Sequence, residues 1–509
     1  MDPYQLLSWK VAAATLAVYC GSVAFYRLFF HPLSKFPGTK LAAITRWYEA
    51  YYDLILEGQY TFKIAEMHKT YGPIVRISPY ELHVLDHAFY EKLYGLHDGR
   101  NKYEWACKGF IAPGATICTS VDALHQARRS PLNHFFSKTK VAARQDVVIR
   151  NVEKLCTALM HRAGSTINLG AAAGALVQDV QCDFILNKAY GSLEKDDFNV
   201  AVADMCQSVG FLRRFSKHFP RLGSALKAIP LNTVSKVAND DARVFFQFLQ
   251  EIDKDTERLL NAASSSSCCS TEEDTPRTVV HEIADSDLAP ADKSLPRVLN
   301  EVQTIVGAGL ETVSGVLRLM LYHVFSNAEI LQRLRAELQT VNNISSSDDL
   351  MDLKKLEQLP YLTSIIMEAL RMSPAIGSRM ARVVPDEDLV YGDWNISAGT
   401  PVGMTTILMH FDETLYPDPY SFNPDRWMDV EKRKKFAKIY APFSRGSRIC
   451  ASMYLAWADL YITLAALAPR FNFKFQDIQS SDFHMVRDEF IIGTKAKSLL
   501  KCRVSLFET

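Results

Sequence analysis

Within Phe443-Ser444-Arg445-Gly446-Ser447-Arg448-Ile449-Cys450, a cysteine ends a glycine-bearing, arginine-rich loop. The helical run Tyr454 to Ala468 follows at once. A helix N-terminus offers free N–H groups and the positive end of a dipole, and both favour a thiolate. A thiolate so placed can be the axial ligand of a haem iron and donate electron density that favours O–O cleavage. Gly446 would let the loop backbone approach such a ring, and Arg448 can pair with an anionic propionate. The competing fate of a lone cysteine is that of a small, inert core residue. A second pattern is Glu368-Ala369-Leu370-Arg371 in the helical run Tyr361 to Met372, where residues three apart share a face and can pair. The third is Ala308-Gly309-Leu310-Glu311-Thr312 inside the run Leu295 to Ser326. Gly307 and Gly309 weaken that helix, and the Thr312 hydroxyl can bond a carbonyl of the preceding turn, opening room for dioxygen and water. An acid beside an alcohol supplies the parts of a proton relay. The plainer alternative is a close helix contact with a surface glutamate.

The octet resembles the Phe-x-x-Gly-x-Arg-x-Cys signature of the cytochrome P450 haem-thiolate monooxygenases. Glu368-x-x-Arg371, then Pro424-Asp425-Arg426, then Cys450 follow that family's order along the chain. The resemblance implies that Cys450 ligates the iron of haem b, with Phe443, Gly446 and Arg448 around it. It assigns Glu368, Arg371 and Arg426 to a charge network behind the haem, and gives Glu311 and Thr312 the task of passing protons to dioxygen. His125 and Arg129 stand where the family has Trp-x-x-x-Arg facing the propionates, and Arg382 resembles a further propionate-binding arginine. The departures are Ser452 in place of glycine, Val313 in place of Thr or Ser, and His125 in place of Trp. The plainer alternative for Glu368, Arg371 and Arg426 is two unrelated exposed ion pairs, which would contribute little to stability.

The same resemblance implies a lipophilic small-molecule substrate. Electrons would come from NADPH through a separate NADPH–cytochrome P450 reductase, with cytochrome b5 as a second donor, because the chain carries no flavin or dinucleotide motif. The segments Phe29 to Gly38 and His68 to Ile77 look like those of fungal microsomal members near trichodiene oxygenase, which implies terpenoid-type secondary metabolism. Two rivals remain. A haem-binding electron carrier would not need Glu311 and Thr312, and a haem-thiolate isomerase or dehydratase would work without reductase. The basic run Lys432 to Lys438 is either a solvated face or a docking surface for an acidic reductase. His83 and His87 lack the intervening glutamate of a zinc protease.

The resemblance implies a mainly α body with small β-sheets, a single haem-enclosing catalytic domain over residues 31–509. Short strand signals fall at Ile74 to Ile77, Glu81 to Leu85 and Arg382 to Val384. The polar tracts Asn261 to Pro296 and Asn342 to Asp349 read as surface connectors. Ahead of the body, residues 1–30 predict a membrane anchor. Val11 to Tyr26 is uncharged and lies between Lys10 and Arg27; with Leu28 to Phe30 it reaches the roughly 17–25 residues that span a bilayer. Arg27, Lys35, Lys40 and Arg46 follow it while Asp2 precedes it, which puts the body on the cytosolic side of the endoplasmic reticulum membrane. With Lys+Arg and Asp+Glu both at 57, the net charge is zero, which gives no reason to expect nucleic acid. The ten cysteines are scattered and form no C-x-x-C pair, against both a disulfide scaffold and a zinc ribbon.

Overall fold

The computed structural model describes residues 3–96, 99–110, 112–227, 229, 233, 239–265, 276–342, 351–497 and 499–507. The long helix Leu295–Ser326 organises the body. Pro296 sits in its first turn, where a missing N–H costs no hydrogen bond. Val298, Val302, Val306, Leu310, Val313 and Leu317 recur at three- and four-residue spacing and are buried. This stripe packs among helices Leu169–Leu186, Asp240–Ser265, Pro360–Met372 and Met453–Leu467. Helix Leu169–Leu186 is almost wholly buried and rich in small residues, from Gly170 to Ala175. That allows the two helices to close up until a Cβ at Gly309 would collide with the side chain of Gln181.

Four small sheets lie among the described residues. The largest has five strands in the order Ile74–Arg76, Leu82–Val84, Pro401–Gly403, Arg382–Val383, Asn101–Lys102. Leu82–Val84 runs parallel to Pro401–Gly403, and the other neighbours are antiparallel. The polar stretch Asn261 to Pro296 is more ordered than its composition predicts. Helix Asp240–Ser265 enters it, and Val279–Ala284 forms a further helix capped by the Thr278 hydroxyl. Residues 266–275 of that stretch, and 343–350 of the second connector, lie outside the described residues.

Helix Pro3–Phe29 ends ahead of Pro32, and none of the residues of its segment Trp9–Phe29 is buried. Helices Leu169–Leu186 and Leu295–Ser326 are also long and apolar enough to cross a bilayer, yet they are 94% and 67% buried in the protein. The N-terminal helix is tied down at its last turn. The Arg27 Nη1 donates to the Ile44 carbonyl at 2.5 Å, and Nη2 reaches the Tyr80 hydroxyl. In return the Arg27 carbonyl accepts from Nη1 of the buried Arg76 at 2.8 Å. Removing residues 1–24 keeps these contacts, whereas removing residues 1–30 strips Arg76 of a partner. Both truncations are expected to shift protein into the soluble fraction. The longer one should also lose about 1–3 kcal/mol of stability, the cost of an unmet buried donor, read as a lower denaturant midpoint.

Candidate active site

The thiol loop leaves the core at Ala441 and closes on itself where the Cys450 N–H donates to the Phe443 carbonyl at 3.0 Å. Gly446 has φ +71°, and a Cβ there would overlap the carbonyls of Tyr94 and Gly95. The glycine is therefore required by contact with the end of helix His87–Tyr94. Helix Met453–Leu467 begins three residues after the cysteine, with Ser452 at its N-cap. At φ −99° Ser452 needs no glycine, and its hydroxyl lies 4.0 Å from the Cys450 sulfur. The Phe443 ring is part-buried, with its centroid 6.3 Å from that of Trp457.

Cys450 presents an open face, as does Cys20, while the other described cysteines are covered or half-covered. Desolvation by the packed loop raises the thiol above its ordinary value, and the Ser452 backbone N–H and Arg129 pull it down only in part. A bound metal cation is what would draw the proton off.

Beside the loop lies a buried group of cations. Arg448 donates to the carbonyls of Thr119 and Ser120 at 2.8 and 2.7 Å, and its Nε has no partner. Arg382 reaches only the Met380 carbonyl, at 3.0 Å, and lies over the Tyr94 ring. Arg129 donates Nε to Asn133 at 2.6 Å. His125 is buried with Nδ1 unpartnered. Burial, then the charges of Arg448, Lys102, Arg129 and Arg382, push this imidazole down to about 2. The carboxylate nearest to Arg448 is Asp122, at 3.6 Å. Lys102 is the member the sequence did not reveal. It pairs across the sheet with Arg382, and its ammonium, bonded to the Ile117 carbonyl at 2.7 Å, is pushed down to about 7 by burial. Like charges facing one another across strands are unfavourable without an anion between them. Orphaned donors and uncompensated cations at the thiol fit the two propionates of a haem.

On the long helix the Thr312 hydroxyl donates to the Ala308 carbonyl at 2.9 Å, the back-bond its position predicts. Glu311 is not the free acid a relay calls for. Arg213 grips it with two hydrogen bonds, at 2.9 and 3.1 Å. Burial raises this carboxyl, and Arg213 opposes the shift.

Behind the loop, the Glu368 carboxylate accepts from Arg371 at 2.9 and 2.9 Å, from Arg426 at 3.1 Å and from the Trp427 indole at 2.9 Å. Glu368 and Arg371 are wholly buried, so the alternative of exposed surface pairs fails. Arg371 donates to the His410 carbonyl at 2.8 Å, and His410 Nε2 accepts from the Ala441 N–H at 3.1 Å. That acceptor role leaves the ring proton on Nδ1, which donates to the Arg371 carbonyl at 3.0 Å. The basic run forms helix Val430–Ala437, which buries Phe436 and turns its lysines to solvent. His83 is bound to His68 and Thr405 in the interior, at 2.7 and 2.9 Å.

A profile of the family Cytochrome P450 matches residues 49–500. The chain belongs to the cytochrome P450 family. The cytochrome P450 monooxygenase MO6277 of Ascocoryne sarcoides is 35% identical over 94% of each chain. The tryptophan 6-hydroxylase fscE of Fusarium equiseti is 34% identical over 94% of this chain and 93% of its own. The cytochrome P450 monooxygenase TRI4 of Trichoderma arundinaceum is 32% identical over 100% and 98%. This cytochrome P450 is thus a monooxygenase of the kind found in fungal secondary metabolism, and family membership implies a haem-thiolate centre, a reductase partner and a small-molecule substrate.

Cys450→Ala should abolish the thiolate-ligated spectrum of the reduced, carbon monoxide-bound protein, whereas alanine at any other cysteine should preserve it. The second expectation concerns His410, which burial and then Arg371 push down to about 3. Between that value and the roughly 6.5 of an unfolded histidine, the unfolded chain binds the extra proton. Stability therefore rises with pH across this window and is lost as pH falls through it. His410→Gln should be less stable at neutral pH but show a shallower acid loss in denaturant midpoints.

Proposed function

We propose that this cytochrome P450 inserts one oxygen atom from dioxygen into an apolar, ring-bearing small molecule, by hydroxylation or epoxidation. The observation that carries the reading is the open Cys450 thiol beside a buried set of cations with unmet donors. Cys450 holds the iron, while Arg448, Arg382, Arg129, His125 and Lys102 hold the propionates. Bound haem supplies the dioxygen and electron-transfer chemistry. Glu368, Arg371 and Arg426 keep the thiol loop in place, and Phe443 and Gly446 shape it. Thr312 donates and accepts protons in the groove of the long helix, supported by Glu311 once Arg213 lets it go. Electrons come from NADPH through the reductase, with cytochrome b5 as an auxiliary donor, and the exposed lysines of helix Val430–Ala437 favour an acidic partner.

Residues 1–30 anchor the enzyme as a single span in the endoplasmic reticulum membrane, with residues 31–509 in the cytosol. An unburied apolar helix with Arg27 in its last turn, followed by Lys35, Lys40 and Arg46, supports this orientation. For the substrate, the segments resembling fungal terpenoid oxygenases point to a terpenoid, while the Fusarium relative is named for hydroxylating tryptophan. Both have a ring-bearing apolar body, which is the common ground of the proposal.

Thr312→Ala tests the relay. Haem binding should survive, because neither the ligand nor the Glu368 network is touched. NADPH consumption should continue with less product and more hydrogen peroxide, and general acid help of about a hundredfold makes the loss easy to see. Unchanged coupling would transfer the relay to Glu311 or water, and turnover without NADPH would favour an isomerase.

A further inference from the structure

Arg213 and Arg214 are adjacent on helix Val200–His218, and both line two chambers. One chamber presents Trp105, Phe110, Met380 and Phe490 among charged residues that include Lys217 and Asp488. The other holds Glu311 and Thr312. The two guanidiniums therefore stand in the wall between an aromatic compartment and the oxygen-side groove. Phe110 and Phe490 meet edge to face at 4.5 Å, and the Arg213 guanidinium lies 5.9 Å from the Phe490 ring centre.

The hydrogen bonds of this wall are incompletely matched. Arg213 spends its fork on Glu311. Arg214 is 7% exposed; it donates to the Asp488 carbonyl at 3.1 Å and forms a loose ion pair with Glu489 at 3.8 Å, too long for a hydrogen bond. Its Nε is buried with no partner at all. A buried guanidinium with an unmet N–H is costly unless an acceptor arrives. A planar fork that already holds one carboxylate in two hydrogen bonds matches another of the same shape.

Building on the monooxygenase reading, we propose that Arg213 and Arg214 form a binding site for a carboxylate carried by an otherwise apolar, ring-bearing substrate. The ring body packs on Trp105, Phe110 and Phe490. The carboxylate supplies the acceptor that Arg214 lacks and competes for Arg213, so that substrate entry loosens Glu311 for its proton-carrying task. A neutral hydrocarbon offers neither arginine anything and leaves Glu311 held. The acid can be derived from an aromatic amino acid or from a terpenoid, since both present the same carboxylate on a ring body.

The test uses full-length, haem-loaded enzyme in detergent. N-acetyltryptophan and a tricyclic diterpene acid are each titrated against their methyl esters, and binding is read from the haem absorbance change. At least one acid should bind about tenfold or more tightly than its ester, as expected for charge-assisted hydrogen bonds, and which acid does so names the source. Arg213→Gln and Arg214→Gln should each erase most of that preference while changing ester affinity by less than about threefold, and Arg213→Lys should restore part of it. Equal binding of acid and ester, no response to either acid, or a preference surviving in both glutamine variants would overturn the site. A wild-type enzyme lacking the thiolate-ligated spectrum would instead overturn the monooxygenase reading itself.

Discussion

One buried carboxylate holds the catalytic half of this molecule in register. Glu368 gathers two guanidiniums, an indole N–H and the Asn423 backbone N–H, so each of its oxygens is satisfied without water. Taking such charges out of water is repaid only by complete pairing of this sort. The arrangement reaches from helix Pro360–Met372 to the Pro424–Trp427 turn, and through Arg371 and His410 to Ala441, where the thiol loop starts. The cysteine is thus positioned by a chain of directional hydrogen bonds, a more exact device than apolar packing. Loss of any one partner leaves the rest charged and buried, so the loop cannot relax by degrees.

A second electrostatic pattern faces the first. Where Glu368 is a carboxylate fully enclosed by donors, the group around His125 is a set of donors short of carboxylates. The protein accepts strain on that side that it does not accept on the other, and an unloaded chain carries the cost. Binding energy from a dianionic prosthetic group held there would become folding energy, in the sense that ligands of the native state stabilise it by mass action.

The main features were legible from sequence because they are local. The octet ending in Cys450, the pair Glu368 and Arg371, and the back-bonding Thr312 each declare themselves within one turn or loop, and the helices Leu295–Ser326 and Pro360–Met372 follow from apolar periodicity. What sequence missed depends on distance along the chain. Lys102 acquires its meaning from Arg382 across a sheet, Gly446 from Tyr94 and Gly95, and Glu311 from Arg213 on another helix. Helical order entering and leaving the polar tract 261–296 was hidden by its composition, because Val279, Val280 and Ile283 bury one face of a helix too short to show a period.

The contact between Gly309 and Gln181 has a consequence for how such a chain can diversify. A methyl group at Gly309 would press on the Gln181 side chain, which would have to turn away to admit it. Substitutions at Arg213, Arg214 or Phe490 reshape the chamber walls without touching that contact. The chamber walls can therefore drift in what they accept while the packing of the helix that carries Thr312 stays still.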